Sequence, residues 1–179
     1  MKIVIINGKG GSGKDTFVTM CADILGADFV YNISTVDYVK EVAKFCGWDG
    51  TKTPENRKFL SDLKDVLTDW KDIPLRKVIT AVSAYTGAAK LSGTNNKSVA
   101  FIHCREPKEI DKLLKELQKY DPVTLLILRD SAENAEQINH ADNEVLNYSY
   151  DYIIHNNHSL SALRAQAEIF LREYLELDI

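Results

Sequence analysis

The sequence predicts an α/β chain in which strands alternate with helices, and three observations carry that reading. Short apolar runs recur between segments whose apolar residues fall at helical intervals. The apolar run Lys2-Ile3-Val4-Ile5-Ile6 enters a glycine-rich turn, Gly8 to Thr16, which reads GKGGSGKDT and opens a helix. No repeat or low-complexity linker interrupts the 179 residues, a length suited to one domain over 1–179 with one continuous core.

Each element has its own local reason. A strand is expected over Lys2–Asn7, then a helix on Phe17, Met20, Cys21, Ile24 and Leu25 that Gly26 ends. A short strand over Asp28–Ile33 follows, and Ser34 can cap a helix through Val36, Val39, Val42, Ala43 and Cys46, stopped by Gly47. Thr53 and Pro54 are a cap and a first-turn proline for a helix whose apolar set is Phe59, Leu60, Leu63, Val66, Leu67 and Trp70. A further helix is expected over Ile73–Thr86 on Leu75, Val78, Ile79 and Val82, and the polar stretch Lys90–Lys97 reads as a loop. Strands are then expected over Ser98–Cys104, Val123–Leu128 and Tyr152–His155. Between them lie a helix on Ile110, Leu113, Leu114 and Leu117 and a polar stretch over Arg129–Asn143, and a last helix runs on Leu160, Leu163, Ala167, Phe170, Leu171 and Tyr174.

Composition narrows the function. A formal charge of −4 argues against a nucleic-acid or membrane surface. No run approaches the ~20 apolar residues of a membrane span, and the chain enters a strand with no signal peptide before it, so a cytoplasmic protein is expected. Cys21, Cys46 and Cys104 lack metal-ligand spacing and sit in apolar segments, which predicts buried thiols. His140 reads as a solvated loop residue.

The chemistry concentrates in the glycine turn. Gly8, Gly13 and Lys14 keep the spacing G-x-x-x-x-G-K, and Gly10 and Gly11 are expected to supply positive φ, so that successive backbone N–H groups wrap a phosphate at a helix N-terminus. A polyphosphate is therefore expected on Gly8, Lys9, Gly10, Gly11, Ser12, Gly13, Lys14, Asp15 and Thr16, with Lys14 reaching its β- and γ-phosphates. Asp15 stands where the motif has a hydroxyl. It reads either as a magnesium partner or as a first-turn acid complementing the helix dipole.

Open α/β sheets bind ligands beyond the carboxyl ends of their strands. There the sequence places Arg105 and Arg129, two cations on the rim of Lys14 that could serve phosphoryl transfer or sit in surface ion pairs with nearby acids. Arg57 and Lys64, two helical turns apart, share a helix face that could hold an acceptor phosphate or stand solvated.

The tracts GSGKDT, Phe101-Ile102-His103-Cys104-Arg105-Glu106-Pro107 and Tyr150-Asp151-Tyr152-Ile153-Ile154-His155-Asn156, with the arginine-bearing helix after Thr53-Pro54, resemble the nucleoside monophosphate kinase group of P-loop proteins. Within it the nearest likenesses are phage-type deoxynucleoside monophosphate kinases and phosphomevalonate kinases. The resemblance implies a three-layer P-loop NTPase fold with a five-stranded parallel sheet, an inserted helical acceptor-binding region over about 34–90 and a lid over about 129–143. It also implies an ATP donor with Mg²⁺ and a small phosphorylated acceptor. By position Arg105 matches the arginine of the family's Asp-x-Arg tract, Arg57 an acceptor-domain arginine and Asn156 an asparagine near the donor adenine, and the place of Arg105 at a strand end also makes it an acceptor candidate with Arg57 and Lys64. Two residues depart from the pattern: His103 stands where an aspartate is usual, and the lid stretch carries a single arginine among Asp130, Glu133, Glu136 and Asp142. A nucleotide-binding switch without efficient turnover is the alternative from a different class.

Overall fold

The computed structural model describes residues 1–130 and 145–177. Five parallel strands, β1 (Lys2–Asn7), β2 (Val30–Ser34), β3 (Val99–His103), β4 (Val123–Leu128) and β5 (Tyr152–His155), form one sheet in the order β2-β3-β1-β4-β5. The central strand reads as an unbroken aliphatic run because it is covered on both faces. Ile3 and Ile5 point to one layer and Val4 and Ile6 to the other, all fully buried. Each such side chain contributes roughly 1.5–3 kcal/mol relative to exposure.

Two helices cover the Val4 and Ile6 face: α1 (Lys14–Leu25) and α6 (Leu160–Ile169), the latter continuing into a π turn over Phe170–Tyr174. Phe17 of α1 meets both Phe101 of β3 and Phe170 edge-on, with centroids 6.4 and 5.7 Å apart, so one aromatic cluster ties both helices to the sheet. On the other face lie α4 (Ile73–Leu91), through Leu75, Val78 and Val82, and α5 (Pro107–Glu116), through Ile110 and Leu113. The inserted region is completed by α2 (Asp37–Phe45) and α3 (Pro54–Lys71), which pack on one another and on α4.

Several elements differ from the sequence expectation. A 3₁₀ turn takes Ala27–Phe29, so β2 starts later, at Val30. Ser34 belongs to the strand, and it is the Asp37 carboxylate that reaches back to accept from the Ser34 N–H at 2.8 Å. Beyond Thr86, α4 runs on to Leu91, since alanines and a lysine follow a Gly87 that meets no neighbour. Cys46 is exposed, whereas Cys21 and Cys104 are buried as expected. Thr53 caps α3 by accepting from the Asn56 N–H at 3.2 Å, with Pro54 in the first turn. Yet no residue of α3 is fully buried: Phe59, Leu60, Leu63 and Leu67 are half-covered, while Val66 and Trp70 are 64% and 68% exposed. Both tryptophans of the chain, Trp48 and Trp70, lie in this inserted region. The expected lid lies outside the described residues except for Arg129 and Asp130, as does His140. No helix among the described residues is long and apolar enough to cross a membrane.

Removing the aromatic hinge tests this packing. Phe17→Ala is expected to lower unfolding free energy by ~3–5 kcal/mol in equilibrium urea denaturation, because the ring is fully buried against two layers; a loss below ~1 kcal/mol would contradict the packing described.

Candidate phosphate-binding site

β1 ends at the centre of the sheet, between β3 and β4, and ligands of open α/β sheets bind just beyond the carboxyl ends of such strands. The glycine turn fills that position. Gly8 has φ +144, and a Cβ there would collide with the Ile127 carbonyl and stand 2.6 Å from Ser12 Oγ, so only glycine lets the chain pass β4 this closely. Of the two glycines expected to be left-handed, Gly11 is so at φ +82 and Gly10 is not; Gly13, at +96, takes that role at the N-cap of α1, whose first turn has no side-chain cap. The Lys14 ammonium folds back over the loop, donating to the carbonyls of Gly8 and of Lys9, the latter at 2.9 Å.

Residues that no motif advertises hold this loop in place. Asn7, fully buried, accepts from the Gly8 N–H at 2.8 Å and donates to the Arg105 carbonyl at 3.0 Å and to the Tyr150 hydroxyl at 2.7 Å. Tyr150 in turn donates to the Val145 carbonyl at 2.9 Å. Asn156, which the resemblance places near the donor adenine, is buried against the loop: its amide donates to the Ser12 carbonyl at 2.9 Å, where a side chain on Gly13 would strike it.

The rim carries the remaining candidates. Asp15 projects into solvent, 92% exposed, and one carboxylate oxygen lies 3.8 Å from His103 Nδ1. The other ring nitrogen of His103 bonds the Asn32 side-chain oxygen at 2.8 Å. Burial lowers the imidazole pKa below its usual value, a shift that Asp15 and Asp37 oppose and Lys14 and Lys40 reinforce, so the ring is neutral at neutral pH. Thr16 is exposed on the first turn of α1, Arg105 is half-buried just past β3, and Arg129 is exposed just past β4.

Arg57 and Lys64 do not form the open cation row expected of them. Arg57 is exposed and its Nε donates to the Lys52 carbonyl at 3.1 Å. Lys64, only 12% exposed, reaches across to α5 and pairs with Glu106 and with Glu109 at 3.0 Å. One ammonium thus stands between two carboxylates, with the buried Cys104 thiol 3.6 Å from Glu109. Although burial alone would lower the Lys64 pKa, the two acids raise it, while burial raises that of Glu109 and Lys64 only partly offsets this. Lys64 is therefore charged across the physiological range, and its charge serves the seam between α3 and α5.

A parallel sheet of this order, with a glycine loop and lysine following its central strand, has the P-loop NTPase architecture. No known family's profile matches the chain, and no curated protein matches its sequence. Among solved structures it is similar to a cysteine-to-alanine mutant of the APS kinase of Mycobacterium tuberculosis, at 11% identity and a TM-score of 0.47 over 96% of this chain and 97% of that one.

The buried cluster generates a pH-dependent outcome. Lys64→Met leaves two carboxylates without a counter-charge and is expected to cost ~2–4 kcal/mol at pH 7. Lys64 holds down the Glu109 carboxyl pKa that burial raises, so without it that pKa rises further in the folded state. A raised acid pKa costs stability above the unfolded value, so the deficit should shrink as the pH falls through the raised folded pKa and be gone near the unfolded carboxyl value of about 4.5. Urea titrations of both proteins from pH 4 to 8 measure this, and a deficit independent of pH would contradict the pairing.

Proposed function

We propose that the chain is an ATP-dependent phosphotransferase that moves the γ-phosphoryl group to the phosphate of a small acceptor, a (deoxy)nucleoside monophosphate. The observation that carries the reading is the loop itself. Gly11 and Gly13 adopt the left-handed backbone of an anion nest, α1 presents its uncapped positive end, and the Lys14 ammonium rests on loop carbonyls from which a phosphate can draw it. Ser12 Oγ, buried with no hydrogen-bond partner among the described residues, supports a polar ligand there.

The donor set also suits magnesium: a solvent-facing carboxylate on the first helical turn, Asp15, is a hard oxygen ligand beside the loop. When bound, the ion supplies charge neutralisation to the β- and γ-phosphates. The protein's own part is to bind and orient. Lys14 would hold the β- and γ-oxygens, and Arg105 and Arg129, just past β3 and β4, would stabilise the charge that builds as an acceptor oxygen attacks γ-phosphorus and the bond to the ADP oxygen breaks. The attacking phosphate oxygen is already anionic, so no general base is required. Arg57, exposed on α3, is the acceptor cation of the inserted region, and the neutralised Lys64 positions that helix.

A second reading has its own support. Because the Lys64 charge is taken up by Glu106 and Glu109, the rim offers an acceptor less positive charge than the sequence implies, which favours a nucleotide-occupancy switch without efficient turnover. An ATP-consumption assay with a panel of nucleoside monophosphates and phosphomevalonate separates the two. Acceptor-dependent ADP release supports the kinase, and tight ATP binding with no turnover supports the switch.

ATP with Mg²⁺ is expected to raise the melting temperature, since a ligand held by the native state at 100 times its Kd stabilises by about 2.7 kcal/mol. Lys14→Ala should abolish most of that shift in differential scanning fluorimetry, and an undiminished shift in the mutant would remove the loop as the donor site.

Arg57→Ala and Arg105→Ala are expected to raise acceptor KM or lower kcat by ~10-fold or more, the worth of one charge-assisted contact at roughly 1.5–3 kcal/mol. ATP affinity should change little. Steady-state kinetics with ATP and acceptor varied separately decide it, and loss of ATP affinity as severe as that of Lys14→Ala would return these arginines to the donor side.

A further inference from the structure

We propose that Asn7 and Tyr150 are positioning residues that join the donor loop to the acceptor rim, so that a phosphate taken up at Lys14 is felt at Arg105. This rests on the loop binding a nucleotide, as proposed above, and adds a coupling between the two sides of the site.

The side chain of Asn7 carries it. It stands at the end of β1, where the residues before it are aliphatic, and it is fully buried. An amide in that place is costly unless its polar atoms have partners, and here each one has. Its oxygen accepts from the Gly8 N–H at 2.8 Å, and its two amide hydrogens go to the Arg105 carbonyl at 3.0 Å and the Tyr150 hydroxyl at 2.7 Å. Turning the amide over would set N–H against N–H and oxygen against oxygen, so the partners fix its orientation. Tyr150 has one hydroxyl hydrogen and gives it to the Val145 carbonyl at 2.9 Å, which leaves it an acceptor toward Asn7. The ring is held as well: it meets Tyr148 edge-on with centroids 5.1 Å apart, and Tyr148 donates to the Asp111 carboxylate on α5 at 2.8 Å.

Where the bonds end separates this network from core packing. Gly8 opens the loop, and Arg105 follows β3 on the rim. Gly8 is gripped twice, since its N–H goes to Asn7 and its carbonyl accepts from the Lys14 ammonium. A phosphate that draws Lys14 off that carbonyl removes one grip, and the glycine can then shift only with the Asn7 amide, whose other end holds the Arg105 backbone. Hydrogen bonds in such a chain polarise one another, so a change at one end is carried to the other. An apolar residue at position 7 would fill the sheet as Ile5 and Ile6 do and would carry nothing.

The experiment follows the full chain by NMR as ADP with Mg²⁺ is added. Its reporter is the Arg105 carbonyl carbon, which faces Asn7, and not the guanidinium, which a ligand can touch directly. In the wild type that carbon should shift along the same saturation curve as the amides of Gly8 to Thr16. Tyr150→Phe deletes only the hydroxyl, and with it the restraint that keeps the Asn7 amide aimed at Arg105. The loop amides of this variant should still titrate while the Arg105 carbonyl shift falls below about half, and calorimetry should show ADP affinity weakened about 5-fold, the worth of one hydrogen bond. A wild-type Arg105 carbonyl that stays in place as the loop saturates overturns the inference, and this arm needs no variant to fold. An equal shift in wild type and Tyr150→Phe also overturns it, leaving Asn7 and Tyr150 as supports of the fold alone. If ADP with Mg²⁺ moves none of the loop amides, the loop assignment itself fails and this inference falls with it.

Discussion

A single methyl group at position 8 would make the site impossible. The chain leaving β1 passes so close to the Ile127 carbonyl of β4 that no Cβ fits, and that approach forces the loop to curl above the crevice instead of running out over the sheet. Everything at the rim depends on it. The Lys14 ammonium can reach back to the Gly8 and Lys9 carbonyls only because the loop has turned, and Gly13 can begin α1 only with the Asn156 amide wedged beneath it. The loop is thus clamped from both sides, by β4 at its entry and by the residue after β5 at its exit. Asn7 adds a third restraint by joining the loop to the end of β3.

Charge at the rim is arranged with equal economy. The lysine of α3 that shares a helical face with Arg57 turns toward Glu106 and Glu109, and so a buried acid at the start of α5 finds its counter-ion in the inserted region. Replacing either partner by an apolar residue alone would leave charge stranded, which is why such pairs specify an arrangement more than they stabilise it. The consequence here is an ion-paired link between α3 and α5, while the packing of α3 is on α2 and α4.

What could be read from sequence followed the range of the interaction. β1, β4 and β5 match their apolar runs residue for residue, and the Thr53-Pro54 start of α3 holds because a cap and its N–H partner lie within one turn. The glycine loop was recognisable for the same reason. The partners of Asn7 and Tyr150, by contrast, are brought together only by the strand order, across separations of 98 and 143 residues, and no local pattern announces them. The same holds for Lys64, whose two acids lie 42 and 45 residues further on. Asn156 sits at the expected strand end, yet its direction was set by the loop it supports. Cys46 fell in an apolar segment, but at the last turn of α2 it faces outward.

The placement of the two tryptophans has an optical consequence. Trp48 donates its indole N–H to the Thr51 carbonyl in the turn before α3, and Trp70 lies near the end of that helix with the Lys71 ammonium 5.0 Å from its ring. The sheet, α1 and the glycine loop contain no indole at all. Under 295 nm excitation the emitting part of this protein is therefore the inserted helical region alone. Its spectrum and quenching follow the surroundings of α3, while occupancy of the loop is silent unless it moves that helix. The chain carries an intrinsic fluorophore pair that separates events on one side of the crevice from events on the other.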